Sequence, residues 1–250
     1  MLVGIRQVTR RIFETAGEAA SAMAEHAAHE IRSVLAQKTR CRLVAATGAS
    51  QIEFLARLTS MAGIDWPRVE LFHLDEYVGI APDHPASFCR FIRDRILTPT
   101  GITVTHLLDG SAEVGQVIAT AAKAISAAPV DLLFAGVGEN GHLAFNEPPA
   151  DFHTGEPFLL VNLDQRTRLQ QVKEGWFSHQ DEVPRQAITM SILQILKARE
   201  ILCIATGERK AEAVERCFAG PVEESAPASA LRMHPNATLF LDRAAAGGLV

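Results

Sequence analysis

Short apolar runs that stop at a small turn and hand over to an amphipathic segment recur along this chain. That alternation constrains the fold more than any other feature. Leu43-Val44-Ala45-Ala46 stops at Thr47-Gly48, and Ser50 to Met61 then carries helical spacing. Val69 to Leu74 ends at Asp75, and Ser87 is placed to cap a helix carrying Phe88, Phe91 and Ile92. Glu113 to Ala127 reads as a helix, and Val130 to Ala135 as a strand that empties into Gly136-Val137-Gly138. The pattern continues with strands at Ala187 to Met190, Glu200 to Ala205 and Ala237 to Leu241, and helices at Ser191 to Lys197 and Lys210 to Phe218. Val8 to Gln37 reads as one long alanine-rich helix, and Gly247 and Gly248 as a frayed tail. Strands apolar at consecutive positions suit burial on both faces, the condition of a parallel sheet with crossover helices. The expected fold is therefore α/β: an open, mostly parallel sheet covered by helices on both faces, Rossmann-like and three-layered. No linker rich in Gly, Pro or Ser divides the sequence, so residues 1–250 are expected to form a single domain.

Composition narrows the partners. A formal net charge of −5 excludes a generally basic nucleic-acid surface. Arg6, Arg10 and Arg11 interrupt the opening segment, so no apolar signal-peptide core is expected there. No uninterrupted apolar stretch predicts a membrane span. The four cysteines, Cys41, Cys89, Cys203 and Cys217, form no CxxC pair, which suits a reduced, cytoplasmic chain.

Ligands of such sheets bind at the carboxyl ends of strands, which selects Thr47 to Ser50, Asp75 to Pro85, and Gly136 to Glu147. Thr47-Gly48-Ala49-Ser50 is neither a P-loop nor a dinucleotide fingerprint. Its amides and hydroxyls suit a phosphate, and equally an ordinary turn with Ser50 as the helix cap. Lys210 follows Thr206-Gly207 in the same context, open to a phosphate partner or to solvent. Asp75 and Glu76 stand at a strand end, where a carboxylate in a dry site can take a proton from a carbon beside a carbonyl. Gly136 to Pro148 concentrates glycines with Glu139, His142 and Glu147, and His142 is the group there that titrates near neutrality when unperturbed. Neither HExxH nor a histidine pair at ligand spacing is present, so no metal and no cofactor are expected.

Leu74-Asp75-Glu76-Tyr77-Val78-Gly79, His84-Pro85-x-Ser87-Phe88 and Gly136-Val137-Gly138-Glu139-Asn140-Gly141-His142-Leu143-Ala144-Phe145-Asn146-Glu147-Pro148 together resemble the glucosamine-6-phosphate deaminase (isomerase) family. The resemblance runs from about Leu43 to Lys210. The related 6-phosphogluconolactonases share the glycine–histidine loop but follow it with a different run, so the amino-sugar branch fits better. The resemblance implies conversion of glucosamine 6-phosphate and water to fructose 6-phosphate and ammonia. It implies that His142 opens the sugar ring, that Asp75 moves a proton from C2 to C1, and that Glu147 assists the histidine, with Asn140 beside it. It assigns the phosphate and substrate to Thr47, Gly48, Ala49, Ser50, Lys210, Gly138 and Gln171.

Three positions depart from the family pattern: Asn140 replaces an aspartate, Gln171 an arginine and Ala49 a glycine. Asn140 is expected to orient the imidazole without stabilising its cation as a carboxylate would, so Asn140→Asp is expected to raise turnover. The allosteric arginine–lysine pattern near Asp151 to Leu160 is absent, which argues against activation by N-acetylglucosamine 6-phosphate. The alternatives are an isomerase or deaminase for another sugar phosphate, a lactonase, and a non-catalytic sugar-phosphate sensor. No nucleic-acid or membrane partner is expected, and a monomer and a small homo-oligomer both stay open.

Overall fold

The protein is described by a computed structural model over residues 8–249; the opening segment with Arg6 lies outside them. In chain order the first elements are β1 (Thr9–Phe13), α1 (Ala16–Gln37), β2 (Cys41–Ala45), α2 (Gln51–Ser60), β3 (Val69–His73), β4 (Asp75–Tyr77), α3 (Phe88–Ile92), α4 (Thr98–Thr100) and β5 (Val104–His106). There follow α5 (Val114–Ser126), β6 (Leu132–Gly136), β7 (Phe158–Asn162), α6 (Gln165–Lys173), β8 (Gln186–Met190), α7 (Ile192–Ile195), β9 (Glu200–Ala205), α8 (Ala211–Phe218), β10 (Ala237–Asp242) and α9 (Arg243–Ala246).

Seven strands form one sheet in the order β1-β10-β9-β6-β2-β3-β5, and every pairing in it is parallel. Side-chain alternation explains the apolar runs. Leu43 and Ala45 face one core with α1 and α2, where Met23, Ile31, Phe54 and Leu58 pack. Val44 faces the opposite core, with Ile125 of α5 and Val214 and Phe218 of α8. Both faces are thus covered, as the alternation of elements predicts. The order reverses between β2 and β6, since β2, β3 and β5 run outward on one side and β6, β9 and β10 on the other. Such a switch point opens a crevice at the carboxyl ends.

Four expectations need correction. The segment 8–37 is not one helix. Thr9–Phe13 is an edge strand in parallel register with β10, and Phe13 stacks on Phe240 with ring centroids 6.5 Å apart. The break is written at Thr15, which caps α1. Its hydroxyl accepts from the Glu18 amide at 3.2 Å, and the Glu18 carboxylate accepts from the Thr15 amide at 3.2 Å. The strand at 187–190 belongs not to the main sheet but to an antiparallel one ordered β4-β8-β7. Its partner β4 begins at Asp75, where a strand end was expected. The chain leaves β3 at Leu74, whose carbonyl accepts from the Met190 amide at 2.9 Å. Asp75 therefore sits at the seam between the two sheets. Finally, Gly247 and Gly248 open a short 3₁₀ turn, Gly247–Leu249, and Leu249 packs on the core.

Loss of the reciprocal cap should be measurable. Thr15→Ala is expected to cost about 1 kcal/mol, seen as a lower urea midpoint and a melting temperature reduced by about 2–4 °C. An unchanged midpoint would mean that strand pairing alone sets the start of α1.

Candidate active site

The carboxyl ends of β2, β3, β6 and β9 frame a cleft of about 240 Å³. Thr47, Gly48, Ala49, Ser50, Asp75, Gly138, His142, Gln171 and Lys210 all line it. The structure thus brings together predicted residues from four separate strand ends and, with Gln171, from α6. Glu147 and Asn140 stand behind His142, within hydrogen-bond reach of its neighbours.

Strand alternation separates the adjacent carboxylates. Glu76 is fully buried and accepts from the amides of Tyr77 at 2.9 Å, Phe88 at 3.1 Å and Cys89 at 2.7 Å. It also accepts from the Ser87 hydroxyl at 2.8 Å. Burial raises its carboxyl, and these donors pull it back. Asp75 points the other way, into the cleft, and no hydrogen bond among the described residues holds its carboxylate. Burial first, and the charge of Glu76 second, push Asp75 well above the usual carboxylate range. A base of this kind stays strong when ionised because burial limits the hydration of its charge and no donor among the described residues stabilises it.

The loop after β6 builds the second group. Gly138 lies under the imidazole, and a Cβ there would come within 2.2 Å of His142 Nε2. This close approach accounts for a glycine at that position. Asn140 accepts from the His142 amide at 3.1 Å through Oδ1 and donates through Nδ2 to Glu147 at 2.8 Å. Its side chain therefore orients the backbone and the carboxylate, not the imidazole as expected. The imidazole contact is made instead by Thr167 of α6, whose Oγ1 lies 3.1 Å from His142 Nδ1 and 3.0 Å from Glu147 Oε2. His142 Nδ1 and Glu147 Oε2 are 3.7 Å apart, so the hydroxyl bridges a gap too long for a hydrogen bond. Burial would raise Glu147, but His142, Thr167 and Asn140 outweigh it and hold the carboxyl below its ordinary value.

At the third corner, Gly48 adopts φ +96° and turns the chain from β2 into α2. Ser50 occupies the cap position, yet its side chain makes no capping bond. Its hydroxyl borders the cleft instead, which removes the ordinary-turn reading of Ser50 as a side-chain cap. Lys210 closes the opposite side. Gly207 holds that turn at φ +87°, with its amide on the Asp242 carboxylate at 3.0 Å. Burial lowers the Lys210 pKa, while Glu174 and Glu139 act against that shift. Gln171 is buried against the cleft and brings no charge.

Four further lining or supporting residues escaped the sequence reading: Thr167, Gln170, Glu174 and Arg209. Arg209 is largely exposed, with Nη1 3.5 Å from Glu139 Oε1. Gln170 accepts from the Glu139 amide at 3.2 Å and donates to Glu174 at 2.7 Å. Among the described residues two clusters carry metal-ligand residue types, His73–Glu76–Cys89 and His26–Glu30–Glu200, and both lie outside the cleft lining. In the first, the Glu76 oxygens are taken by their donors, and the Cys89 thiol donates to the Leu108 carbonyl at 3.0 Å. Burial lowers His73 to about 3, so it stays neutral.

The family model for glucosamine-6-phosphate isomerases/6-phosphogluconolactonase matches residues 14–240. The chain belongs to this family. It is 42% identical over 203 residues to a glucosamine-6-phosphate deaminase of Rhodopirellula baltica, covering 78% of this chain and 77% of that protein. A solved monomeric glucosamine-6-phosphate deaminase superposes with a TM-score of 0.89 at 28% identity, covering 96% of this chain and 99% of the other. A 6-phosphogluconolactonase from Trypanosoma brucei shares the fold at TM-score 0.80 and 18% identity, with 98% and 100% coverage. The glucosamine-6-phosphate isomerase/lactonase fold thus explains the parallel sheet and its crevice. Among the described residues no helix is long and apolar enough to cross a membrane.

An unpartnered carboxyl in such a family site costs stability, with a definite sign. A carboxyl whose folded pKa is raised costs nothing while protonated, below its unfolded pKa. Stability is lost as pH rises from there through the raised folded value. Asp75→Asn is therefore expected to be more stable than the parent at neutral pH and equal to it in acid. Each unit of elevation corresponds to about 1.4 kcal/mol. Urea unfolding across pH checks this, and a gap independent of pH would count against burial as the cause.

Proposed function

We propose that the protein is a deaminating aldose–ketose isomerase that converts glucosamine 6-phosphate and water to fructose 6-phosphate and ammonia. The observation that carries this reading is the convergence of Asp75 and His142 on one cleft that also holds the 47–50 loop and Lys210. His142 Nε2 takes the proton of the C1 hydroxyl and returns it to the ring oxygen, which opens the pyranose. Asp75 then removes the C2 proton of the open-chain aldose and delivers it to C1 from the same face, while the C2 amine gives up one proton and O1 gains one, which leaves a C2 ketimine and a C1 hydroxyl. Water adds at C2 and ammonia leaves. One base serves adjacent carbons, so no metal and no cofactor are required. The acceptor atoms of the two steps differ, so the two groups must approach different parts of the ligand.

In this reading Thr47, Gly48, Ala49 and Ser50 receive the phosphate with amides and hydroxyls, Lys210 supplies the charge, and Gln171 and Gly138 border the sugar. Residues 1–250 act as one catalytic domain, as a monomer or small homo-oligomer, in the cytoplasm. The identity to deaminases supports the amino-sugar branch, and the lactonase likeness supports the fold alone.

A panel of sugar phosphates decides the reading. Ammonia release from glucosamine 6-phosphate, with solvent deuterium entering at C1, is expected of the parent protein. Asp75→Asn is expected to abolish both. Acid release from 6-phosphogluconolactone without ammonia from the amino sugar would replace the proposal with a lactonase.

The hydrogen bonds of Asn140 support the opposite outcome for Asn140→Asp. The Asn140 amide donates to Glu147 at 2.8 Å, so an aspartate would set a second carboxylate against the first. Like charges at this distance raise one of the two pKa values and withdraw Glu147 from His142. Turnover of Asn140→Asp is expected to fall, and a rise would restore the direct role for this position.

A further inference from the structure

The hydrogen-bond pattern around Thr167 is decided by donor counting. Thr167 is almost fully buried, and its Oγ1 meets three groups: Asn140 Nδ2 at 3.2 Å, Glu147 Oε2 at 3.0 Å and His142 Nδ1 at 3.1 Å. An amide nitrogen only donates, so the hydroxyl accepts from Asn140. An ionised carboxylate only accepts, so the single hydroxyl proton goes to Glu147. One lone pair then remains for His142, and Nδ1 must carry a hydrogen. The neutral imidazole is left with its free lone pair on Nε2, the nitrogen over Gly138 at the cleft, which has no protein partner among the described residues.

We propose that Thr167 is a positioning residue that fixes the reactive tautomer of His142 and couples the ring to Glu147. The inference rests on the reading of His142 as the ring-opening acid–base. A proton gained at Nε2 makes an imidazolium whose Nδ1–H already points at the hydroxyl. The ionised Glu147 carboxylate, reached through the hydroxyl, stabilises that imidazolium and stays charged. When Nε2 gives its proton to the ring oxygen, the neutral Nδ1–H form is restored, so no atom or charge is left unbalanced. Without the hydroxyl, the 3.7 Å gap between Nδ1 and Oε2 exceeds a hydrogen bond.

The ligand-free protein, labelled with ¹⁵N histidine, tests the tautomer without any substrate. The parent is expected to show His142 almost wholly as the Nδ1–H form at alkaline pH. Thr167→Val, which keeps the shape and removes the hydroxyl, is expected to show a mixture of tautomers. Its kcat for ammonia release should fall by about 10²-fold, with KM within about twofold, and Thr167→Ser should recover most of the loss. A parent His142 protonated mainly on Nε2 overturns the proposal even if the valine variant does not fold. So does a folded Thr167→Val with parental tautomer and kcat. A parent protein with the expected tautomer and no ammonia release overturns the functional reading instead, leaving the assignment at Thr167 supported.

Discussion

Glu76 is a fully buried carboxylate that accepts from the Ser87 hydroxyl and the amides of Tyr77, Phe88 and Cys89. Those donors belong to β4 and to the first turn of α3, so one side chain ties the strand after the seam to the helix that follows it. A carboxylate is suited to this because it offers about four acceptor positions and complements the positive end of a helix. Removing it would strand several buried donors at once, a heavier loss than one hydrogen bond. The tie also decides the orientation of its neighbour. With Glu76 turned toward α3, strand alternation turns Asp75 toward the cleft. The charge of Glu76 then adds to burial in raising Asp75. Scaffold and reactivity therefore come from the same pair, and the stability lost at Asp75 is held in place by the bonds made at Glu76.

A second dependence runs through α6. Thr167, Gln170, Gln171 and Glu174 follow the i, i+3, i+4, i+7 spacing of one helix face. That face meets the His142 loop at Thr167 and lines the cleft with the other three. Seating of α6 and assembly of the imidazole–carboxylate contact are thus a single event. Glu147 reinforces it by accepting from the Asp164 amide at 3.3 Å, just before the helix.

Polar character also explains why this helix was hard to read. A stripe of threonine, glutamine and glutamate looks like a solvated surface, and nothing in its composition distinguishes water from a cleft. The central strands posed no such difficulty. Buried on both faces, β2, β6, β9 and β10 show as apolar runs, and the turns that follow them identify the crevice. Ser50, His142 and Lys210 were legible because each follows such a run. The antiparallel sheet was not, since β4 has three residues and pairs with β8, more than a hundred positions away. Register of that kind depends on tertiary packing, not on local period. At the start of the chain, Ile12 and Phe13 stand at helical spacing from Ala16, Ala19 and Ala20 beyond Thr15, which masked the change from β1 to α1. The Thr15–Glu18 capping pair was the available signal, three residues apart and just ahead of the apolar periodicity.

Charge in the cleft is arranged in opposition across its width. Arg209 and Lys210 come from the turn after β9, and Asp75 from the seam after β3. β6 and β2 lie between them, so the strand ends are roughly 14 Å apart at the usual spacing. A long, flexible lysine stem covers part of that span, and the 47–50 loop lies along the way. The cationic side is not left bare. Glu139 and Glu174 support the charge on Lys210 against desolvation, and Arg209 approaches Glu139. An arriving phosphate must compete with those carboxylates, which weakens binding of the bare anion. On the proposed reading, the ligand also carries an amine, which is cationic when protonated. When ionised, the Asp75 carboxylate on the opposite side of the cleft attracts that group. Opposed charges in the cleft thus favour a ligand bearing both signs over either charge alone, a discrimination made by repulsion as much as by contact.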